Sequence, residues 1–356
     1  MNMEISKSVN VKNIPKPTPR PKFIAPVTIE NVAQESGVSI STVSRILTGV
    51  VAVSDDKRQA VEKAIDRLGF IPNPIARGLA GGRSMTIGVI TQAIDSPFFS
   101  EGLRGIEDQL EKVGYTPIFV SGHWNLADER TCFNKLLARR VDGIIIMHGC
   151  LSDAFLVAQS KRLPLVVTGR VLATKSLHSI HFDNFEAGRL AAQHLIELGH
   201  RQIAFIAGPS GQSNAAERLR GYQFALSEAG IAYQPELTVQ GDFREAQGAV
   251  ATKQLIDSRE PFTAIIACND QTAYGAALQL YRTQLRIPDD ISLVGFDDLN
   301  SSNFAIPPLT TVRIGIYDIG KSTALAILEL LEGRVSTEVS PSPELIVRES
   351  TKRLDS

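Results

Sequence analysis

The sequence is poor in several features that would indicate other classes of protein. Its 356 residues include three cysteines and one tryptophan, and aromatic residues make up 6%. Cys132, Cys150 and Cys268 are odd in number and far apart, which favours free thiols in a reducing compartment over a disulfide framework. No apolar run approaches the roughly 18 residues that span a bilayer. We therefore expect a cytoplasmic protein.

The sequence also lacks the patterns of common catalytic and metal sites. The six histidines do not combine with the cysteines at metal-ligand spacing. We find no ordered Ser, His and Asp set and no phosphate-binding GxxxxGK[ST] loop. Gly81-Gly82 precedes a predicted strand instead of opening a helix. We therefore predict neither an enzyme nor a bound metal or cofactor.

The net charge of −1 conceals an uneven distribution of charge. Residues 1–83 carry twelve Lys and Arg against seven Asp and Glu, and the remainder carries 25 against 31. A basic N-terminal part on an acidic body indicates contact with a polyanion, although it also suits an ordinary solvated surface. Residues 1–26 are polar, Pro-rich and without periodicity, which predicts a disordered arm.

Residues 27–72 contain three short helical patterns. Thr28 and Ser39 are placed to cap the first two helices, and Gly37 permits the tight turn between them. Ser54 is placed to cap the third helix. Three short helices with a Gly-containing turn between the first two describe a helix-turn-helix domain.

Residues 73–84 have the pattern of a hinge or linker. Asn73 is a good N-cap and Pro74 suits the first helical position, but barely two turns follow before Gly81. Gly78 weakens so short a helix by up to ~1 kcal/mol relative to Ala. We therefore expect a segment that becomes helical only when a partner supports it.

Residues 85–356 alternate apolar strand patterns with helical patterns. This alternation, with near-continuous Ile and Val runs, predicts an α/β fold of doubly wound parallel sheets. Two series of strands, on either side of about residue 183, predict two lobes with a ligand cleft at the carboxyl ends of the strands. The strands are predicted at 86–90, 117–120, 143–147, 165–168, 179–182, 202–207, 237–240, 264–267, 292–295, 309–312 and 345–348.

Eight segments of the chain form a distinctive ordered set: 27–33, 37–45, 69–73, 76–79, 217–222, 269–270, 295–298 and 307–313. Taken in order, they resemble the lactose-repressor/galactose-repressor (LacI/GalR) family over nearly all of residues 27–353. The resemblance implies an N-terminal all-α DNA-binding domain followed by a periplasmic-binding-protein-like sensor. It also implies a repressor that binds a pseudo-palindromic double-stranded operator as a homodimer and answers to a small molecule between the lobes.

The second helix is expected in the major groove of DNA, with its N-terminal residues at base edges. Arg45 is placed to donate two hydrogen bonds to a guanine, a phosphate contact or a solvated charge being the alternative. Ile40 suits a thymine methyl, and Ser41 suits either a base or water. Hydroxyl groups also suit phosphates, which set the register of a protein on DNA, and here they belong to Thr28, Thr42, Ser44 and Ser54. Helix caps or surface residues are the alternative for all four, and for Thr28 and Ser54 the cap comes first.

The resemblance also assigns a role to the hinge. In the family, a leucine of the hinge helix enters the minor groove and opens the central base step. Leu79 occupies that position, and Asn73 and Ala76 lie on the matching helix face. An ordinary flexible linker is the alternative. Thr48 departs from the Asn that is usual in the family, which puts one backbone contact in doubt.

Six sensor residues are implied to contact the effector: Phe98, Phe99, Arg170, Arg218, Phe243 and Asp270. Aromatic rings pack on the flat face of a sugar or base, while Arg and Asp bond to hydroxyl or carbonyl groups. Their alternatives are structural: core packing for the rings, a helix N-cap for Asp270 and an ion pair between the lobes for Arg218. Gly169 and Ile314 replace the Asp and Gln of some sugar-binding members. A sugar is the expected class, with a purine or phosphosugar left open.

Two other functions share parts of this pattern. A periplasmic-type transport protein has the same two lobes, but it needs a signal peptide and has no use for residues 27–83. A DNA-binding protein that answers to another protein is left open by the sequence. No leucine heptad follows the last predicted strand, so we expect a dimer without the tetramerisation helix of some relatives.

Overall fold

The computed structural model describes residues 27–47, 53–71 and 83–354. The chain divides into two units, residues 1–82 and 83–356, and each is described by itself. The predicted arm, residues 1–26, and residues 73–82 of the predicted hinge lie outside the described ranges.

In its described part, the first unit folds as three helices around a small apolar core. Val32, Val43 and Val61, one from each helix, are fully buried at its centre. Gly37, with φ of 68°, turns the chain between the first two helices. The helices are α1 (Ile29–Ser36), α2 (Ile40–Leu47) and α3 (Asp55–Leu68).

Two of the three predicted helix caps form in this domain. Thr28 Oγ1 accepts a hydrogen bond from the backbone amide of Asn31 at 3.4 Å. Ser39 Oγ accepts one from the amide of Thr42 at 3.3 Å. The prediction for Ser54 is wrong in one respect, because Ser54 precedes α3 but its side chain makes no capping hydrogen bond. Two aspartates in the first turn of α3 complement the helix dipole there.

The second unit contains two sheets, one in each lobe. The strands are β1 (Thr86–Thr91), β2 (Thr116–Ser121), β3 (Gly143–Ile146), β4 (Leu165–Thr168), β5 (Leu177–Ile180), β6 (Ile203–Ala207), β7 (Thr238–Gln240), β8 (Ala264–Ala267), β9 (Ser292–Asp297), β10 (Thr310–Arg313) and β11 (Glu344–Ile346). Lobe 1 has the strand order β2-β1-β3-β4-β5, and lobe 2 has the order β11-β10-β9-β8-β6-β7. The predicted α/β fold with doubly wound, mainly parallel sheets is confirmed.

The helices of this unit cover the sheets, and the last of them changes lobe. They are α4 (Pro97–Glu111), α5 (Leu126–Ala138), α6 (Asp153–Ser160), α7 (Asn184–Glu197), α8 (Ser213–Glu228), α9 (Glu245–Ser258), α10 (Asp270–Arg282) and α11 (Ile316–Leu331). Although α11 follows β10 of lobe 2, it packs on α4, β3, β4 and β5 of lobe 1. The chain therefore passes between the lobes three times. Within the described ranges, no helix is long and apolar enough to cross a membrane.

Most strand bounds differ from the prediction by one or two residues, and two of these differences bear on the path of the chain between the lobes. The strand predicted at 179–182 is Leu177–Ile180, because buried Phe182 continues the apolar pattern into the crossing between the lobes. The last strand, predicted at 345–348, is Glu344–Ile346, and it pairs antiparallel with β10. It enters lobe 2 after α11, from the other lobe, and so runs against its neighbour.

Candidate functional site

Strands of both lobes point their carboxyl ends at a cavity of about 540 Å³ within the second unit. Parallel α/β sheets bind ligands at this end, because the loops after the strands converge there. This interlobe cavity is lined by Ala93, Asp95, Ser96, Pro97, Phe98, Phe99, Trp124, His148, Pro209, Gln212, Asn214, Arg218, Asp242, Phe243, Arg244, Glu245, Asn269, Gln271 and Asp297.

Lobe 1 supplies a wall of rings, referred to as the aromatic wall: Phe98, Phe99, Trp124 and His148. The Phe99, Trp124 and His148 rings meet edge to face, with centroids 6.2 to 6.4 Å apart. Phe98 packs edge-on against Phe99 at 5.3 Å. This is the arrangement that ring quadrupoles favour. The wall suits the flat face of a small cyclic ligand.

His148 is an uncharged member of the aromatic wall at neutral pH. Burial, together with the positive charges of Arg218 and Arg170, lowers its pKa to about 4. Its Nδ1 lies 3.1 Å from the hydroxyl oxygen of Thr168, which fixes the ring. A neutral imidazole offers one donor and one acceptor, so His148 suits a neutral polar ligand better than an anion.

Lobe 2 supplies a polar wall centred on Arg218, which is only 3% exposed. Its Nε donates to Asn184 Oδ1 at 2.9 Å, and Nη1 donates to the carbonyl of Cys268. Its Nη2 lies 3.8 Å from Asp297 Oδ1, and the guanidinium lies 4.8 Å from the centroid of the Phe296 ring. Burial lowers the pKa of Arg218 and raises that of Asp297. A polar group of a ligand can complete the contacts of this buried pair.

Two further residues of lobe 2 line the cavity beside the polar wall. Asn269 follows β8, and Phe243 follows β7. Asn269 caps α10 by accepting from the Thr272 amide at 2.9 Å, and its Nδ2 donates to the Phe243 carbonyl at 3.0 Å. Phe243 has a left-handed backbone, with φ of 70°. This bond therefore holds an uncommon conformation that places the Phe243 ring at the cavity.

Four of the six predicted effector residues line the interlobe cavity: Phe98, Phe99, Arg218 and Phe243. Arg170 does not, and its guanidinium is occupied on the loop after β3. It donates to the Leu151 carbonyl at 2.6 Å, to Asp153 Oδ1 at 3.0 Å and to the Gly149 carbonyl. The structure therefore gives Arg170 a role in supporting that loop.

Asp270 also lies outside the cavity lining, since it is fully buried. Its Oδ2 accepts from the Leu299 amide at 2.9 Å and from the Ser302 hydroxyl at 2.6 Å. Its Oδ1 accepts from the Thr311 hydroxyl at 2.6 Å. These three bonds tie the start of α10 to the segments after β9 and at β10. The N-cap of α10 is Asn269, so Asp270 is the first residue of the helix and not its cap.

Sequence reasoning missed several cavity residues, among them Trp124, His148, Asn269 and Asp297. Asn269 and Asp297 belong to the segments 269–270 and 295–298, which the resemblance singles out. Both stand where strands end, and that position was the available signal. Trp124 and His148 lie in loops without a motif, although a single tryptophan after a strand is unusual enough to mark.

Four of the residues predicted to contact DNA, Ile40, Ser41, Ser44 and Arg45, form one surface of α2. Ile40, Ser41 and Arg45 are exposed, and Thr42 and Ser44 are partly exposed. Residues 40, 41, 44 and 45 lie on one face of the helix, because they are separated by one, four and five positions. The buried residue of α2, Val43, points to the opposite side.

The other predicted DNA contacts lie at or beyond the edges of the described ranges. Thr28 is exposed, and its hydroxyl donates to Asn31 Oδ1 at 3.1 Å within the helix cap. Asn73, Ala76 and Leu79, as well as Thr48, lie outside the described residues. Among the described residues, no group of three His, Cys, Asp or Glu side chains is placed to hold a metal ion.

Two family models match the chain. Residues 28–73 match the model of bacterial regulatory proteins of the lacI family, and residues 192–351 match the periplasmic binding protein-like domain. The first match covers α1 to α3, and the second covers most of lobe 2 together with α11.

The chain is similar to characterised regulators over almost its whole length. It is 35% identical to the HTH-type transcriptional repressor CytR of Escherichia coli K12, over 92% of this chain and 97% of that protein. It is 34% identical to catabolite control protein A of Priestia megaterium, over 92% and 99%. Among solved structures, the lac repressor dimer bound to operator and the anti-inducer ONPF matches with a TM-score of 0.83 and 32% identity, over 92% and 99%. The CelR–cellobiose complex matches with a TM-score of 0.68 and 30% identity, over 91% and 99%.

Proposed function

Because the chain belongs to the lacI family of bacterial regulatory proteins and is a DNA-binding transcriptional regulator, we propose that a sugar or sugar derivative controls its affinity for operator DNA. The ligand binds in the interlobe cavity, and the protein acts as a repressor. The observation that carries this proposal is the pairing of an aromatic wall with a buried Arg218–Asp297 pair across one cavity. A sugar ring has an apolar face for the rings and hydroxyl groups for the charges.

A ligand screen tests the effector class directly. Thermal unfolding is measured with pentoses, hexoses, disaccharides and, as a second class, purine bases and nucleosides. A ligand at about 100 times its Kd adds roughly 2.7 kcal/mol of stability. A rise in the unfolding temperature with a sugar supports the proposal. A rise with purine bases or nucleosides alone would make a flat base the effector instead of a sugar. No shift with either class supports the alternative that a protein partner controls the regulator.

Operator coupling is tested once the DNA sequence is known. Selection from a random pool gives the preferred operator, and fluorescence anisotropy then measures its affinity at several ligand concentrations. Linkage requires operator and ligand to change each other's affinity by one common factor, typically 5- to 150-fold. Equal operator affinity with and without a saturating sugar would contradict the proposal.

We propose that the exposed face of α2 reads the operator in the major groove, with Arg45 at a base. Arg45→Ala should then lose about 1–3 kcal/mol at one base position of each half-site. Arg58→Ala, on the exposed face of α3, is the matched control and should leave the base preference unchanged. Equal weakening on every sequence would make Arg45 a phosphate contact. The assignment of Asn73, Ala76 and Leu79 to the minor groove is proposed from the sequence alone.

We also propose that a second copy of the chain covers an apolar patch on lobe 2. Phe304 and Ile306, 76% and 95% exposed, line a groove of about 470 Å³, and Tyr281, 80% exposed, lies one helical turn after Ala277, which also lines this groove. Large exposed apolar groups of this kind mark association surfaces. A two-fold operator requires a two-fold protein. Ile306→Glu should give monomers by sedimentation, whereas the exposed Val335→Glu should leave dimers intact.

A further inference from the structure

One buried side chain in lobe 1 joins the two loops that carry half of the aromatic wall. Gln92 follows β1 directly and is only 1% exposed. Its Oε1 accepts a hydrogen bond from the Trp124 amide at 2.9 Å, and its Nε2 donates to the His148 carbonyl at 3.2 Å. One carboxamide thus holds the backbone at both rings while lying outside the cavity lining itself.

A second buried side chain, that of Glu129, supports the loop that carries His148. Glu129 is fully buried, and its carboxylate accepts from the Cys150 amide at 2.8 Å and from the Leu151 amide at 3.0 Å. Cys150 in turn lies with its sulfur 3.4 Å from the Trp124 carbonyl. The two loops are therefore connected at three points, and Gln92 is the member that bonds to both ring-bearing residues.

The backbone at these loops needs such support. Trp124 and His148 have φ of 55° and 59°, in the left-handed region that non-glycine residues seldom occupy. Such conformations persist where the surroundings hold them. Gly149, at φ of 136°, lets the loop approach closely, because a Cβ there would lie 2.9 Å from Gln92 Nε2 and 2.7 Å from Glu129 Oε2. The loop is therefore built around these two side chains.

We propose that Gln92 is a positioning residue that sets the aromatic wall, and hence the effector preference, without touching the effector. This inference rests on the proposed function of the interlobe cavity. Other parts of lobe 1 fix Phe98 and Phe99, which belong to the first turn of α4. The Gln92 carboxamide positions the backbone that carries Trp124 and His148, while Thr168 holds the His148 ring and amide.

The chain provides its own probe, because Trp124 is its single tryptophan. Gln92→Met keeps the size of the side chain and removes both hydrogen bonds. Thr91→Val is the matched control: Thr91 is the preceding residue, fully buried, and its hydroxyl has no hydrogen-bond partner within the described residues. Each ligand-free full-length protein is titrated with acrylamide while Trp124 emission is recorded. Amide hydrogen exchange is followed over residues 122–125 and 148–151.

We expect Gln92→Met to raise the acrylamide quenching constant at least twofold and to speed exchange in both loops, with exchange in α7 and α8 unchanged. Thr91→Val should match the wild type in the acrylamide quenching constant, in exchange of the two loops and in exchange of α7 and α8. Unchanged Trp124 quenching in a folded Gln92→Met protein overturns the proposal, even if that protein melts at a lower temperature, since a merely structural role predicts that result.

A second variant covers the case in which Gln92→Met does not fold. Glu129→Gln keeps the shape and one oxygen but weakens the hold on the Cys150 and Leu151 amides. Relative to the wild type, this variant should speed amide exchange at 148–151 more than at 122–125, because Gln92 still holds the Trp124 amide. An equal acceleration of exchange in both loops would mean that Glu129 holds both of them, and it would overturn the proposal. If a sugar binds the wild type, Gln92→Met should raise its Kd at least tenfold and Thr91→Val should not. If none binds, the proposed function fails, while the quenching and exchange results still decide the role of Gln92.

Discussion

The two walls of the interlobe cavity are held in place by different means. In lobe 1 the rings of Trp124 and His148 stand on loops whose backbones are bonded to buried side chains. In lobe 2 the polar groups belong to strand ends and to a long helix, and Arg218 and Asp297 support each other directly. Substituting a ring of the aromatic wall therefore leaves the buried charges with their partners, whereas substituting Arg218 or Asp297 does not.

This difference separates shape recognition from polar recognition. Ring contacts depend gradually on ligand shape, and an extra or missing methylene is worth only about 1–3 kcal/mol. A site built from buried hydrogen-bonding groups rejects ligands that leave those groups unpaired far more strongly. We expect the polar wall of lobe 2 to determine which chemical class of ligand binds. The aromatic wall of lobe 1 should determine which member of that class binds best.

The largest effect is expected at the polar wall. Arg218→Met leaves the buried Asp297 carboxylate without its cation, which should cost about 3–5 kcal/mol of unfolding free energy. Urea unfolding measures the loss, and Arg220→Met, on the exposed side of the same helix, should stay within about 0.5 kcal/mol. Adding Asp297→Asn to Arg218→Met should recover part of the loss. A mild loss in Arg218→Met would show that the two walls are built alike.

An intermediate effect is expected at the aromatic wall, and it should fall on binding instead of folding. Trp124 is partly exposed to the cavity, so Trp124→Leu should change the unfolding free energy by about 1 kcal/mol or less. Its loss of ring contact should weaken the best sugar from the screen roughly tenfold, or about 1.4 kcal/mol. Calorimetric titration measures the affinity. A destabilisation as large as that of Arg218→Met would erase the distinction between the walls.

The smallest effect is a dependence of stability on pH that arises at His148. Its pKa is lowered to about 4 in the folded protein, against roughly 6.5 in the unfolded chain. The unfolded chain therefore binds the proton first, and stability present above pH 6.5 is lost as the pH falls towards 4. Between pH 7.5 and 5.5 the loss should be about 1 kcal/mol.

His148→Asn isolates this contribution, because Asn tolerates the left-handed backbone at this position. The difference in unfolding free energy between wild type and variant should shrink over the same pH interval. A constant difference from pH 7.5 to 5.5 would mean that His148 takes up its proton equally in both states.

The fold was largely predictable because its signals are local. Strand positions followed from Ile and Val runs, as at 165–168 and 264–267, where prediction and structure coincide. The exposed face of α2, which we propose contacts DNA, followed from the spacing of Ile40, Ser41 and Arg45 around buried Val43. Both patterns repeat with the period of their own element and need no knowledge of distant residues.

The cavity was harder to predict, because its members meet through long-range contacts. Asp270 was predicted to contact the effector, and its carboxylate accepts hydrogen bonds from three partners distant in sequence, Leu299, Ser302 and Thr311. Arg170 was likewise occupied by the loop after β3. The role of Gln92 depends on two loops 32 and 56 residues away. The periodicity of the sequence does not predict these contacts between residues that are distant in sequence.

The path of α11 has a consequence for the order in which the protein is made. Lobe 1 is encoded almost entirely before residue 181, yet the helix that covers α4, β3, β4 and β5 is synthesised after β10. A nascent chain leaving the ribosome therefore carries an uncovered apolar face of lobe 1 while the whole of β6 to β10 is being translated. The first lobe to be synthesised is therefore completed only after most of the second lobe has been made.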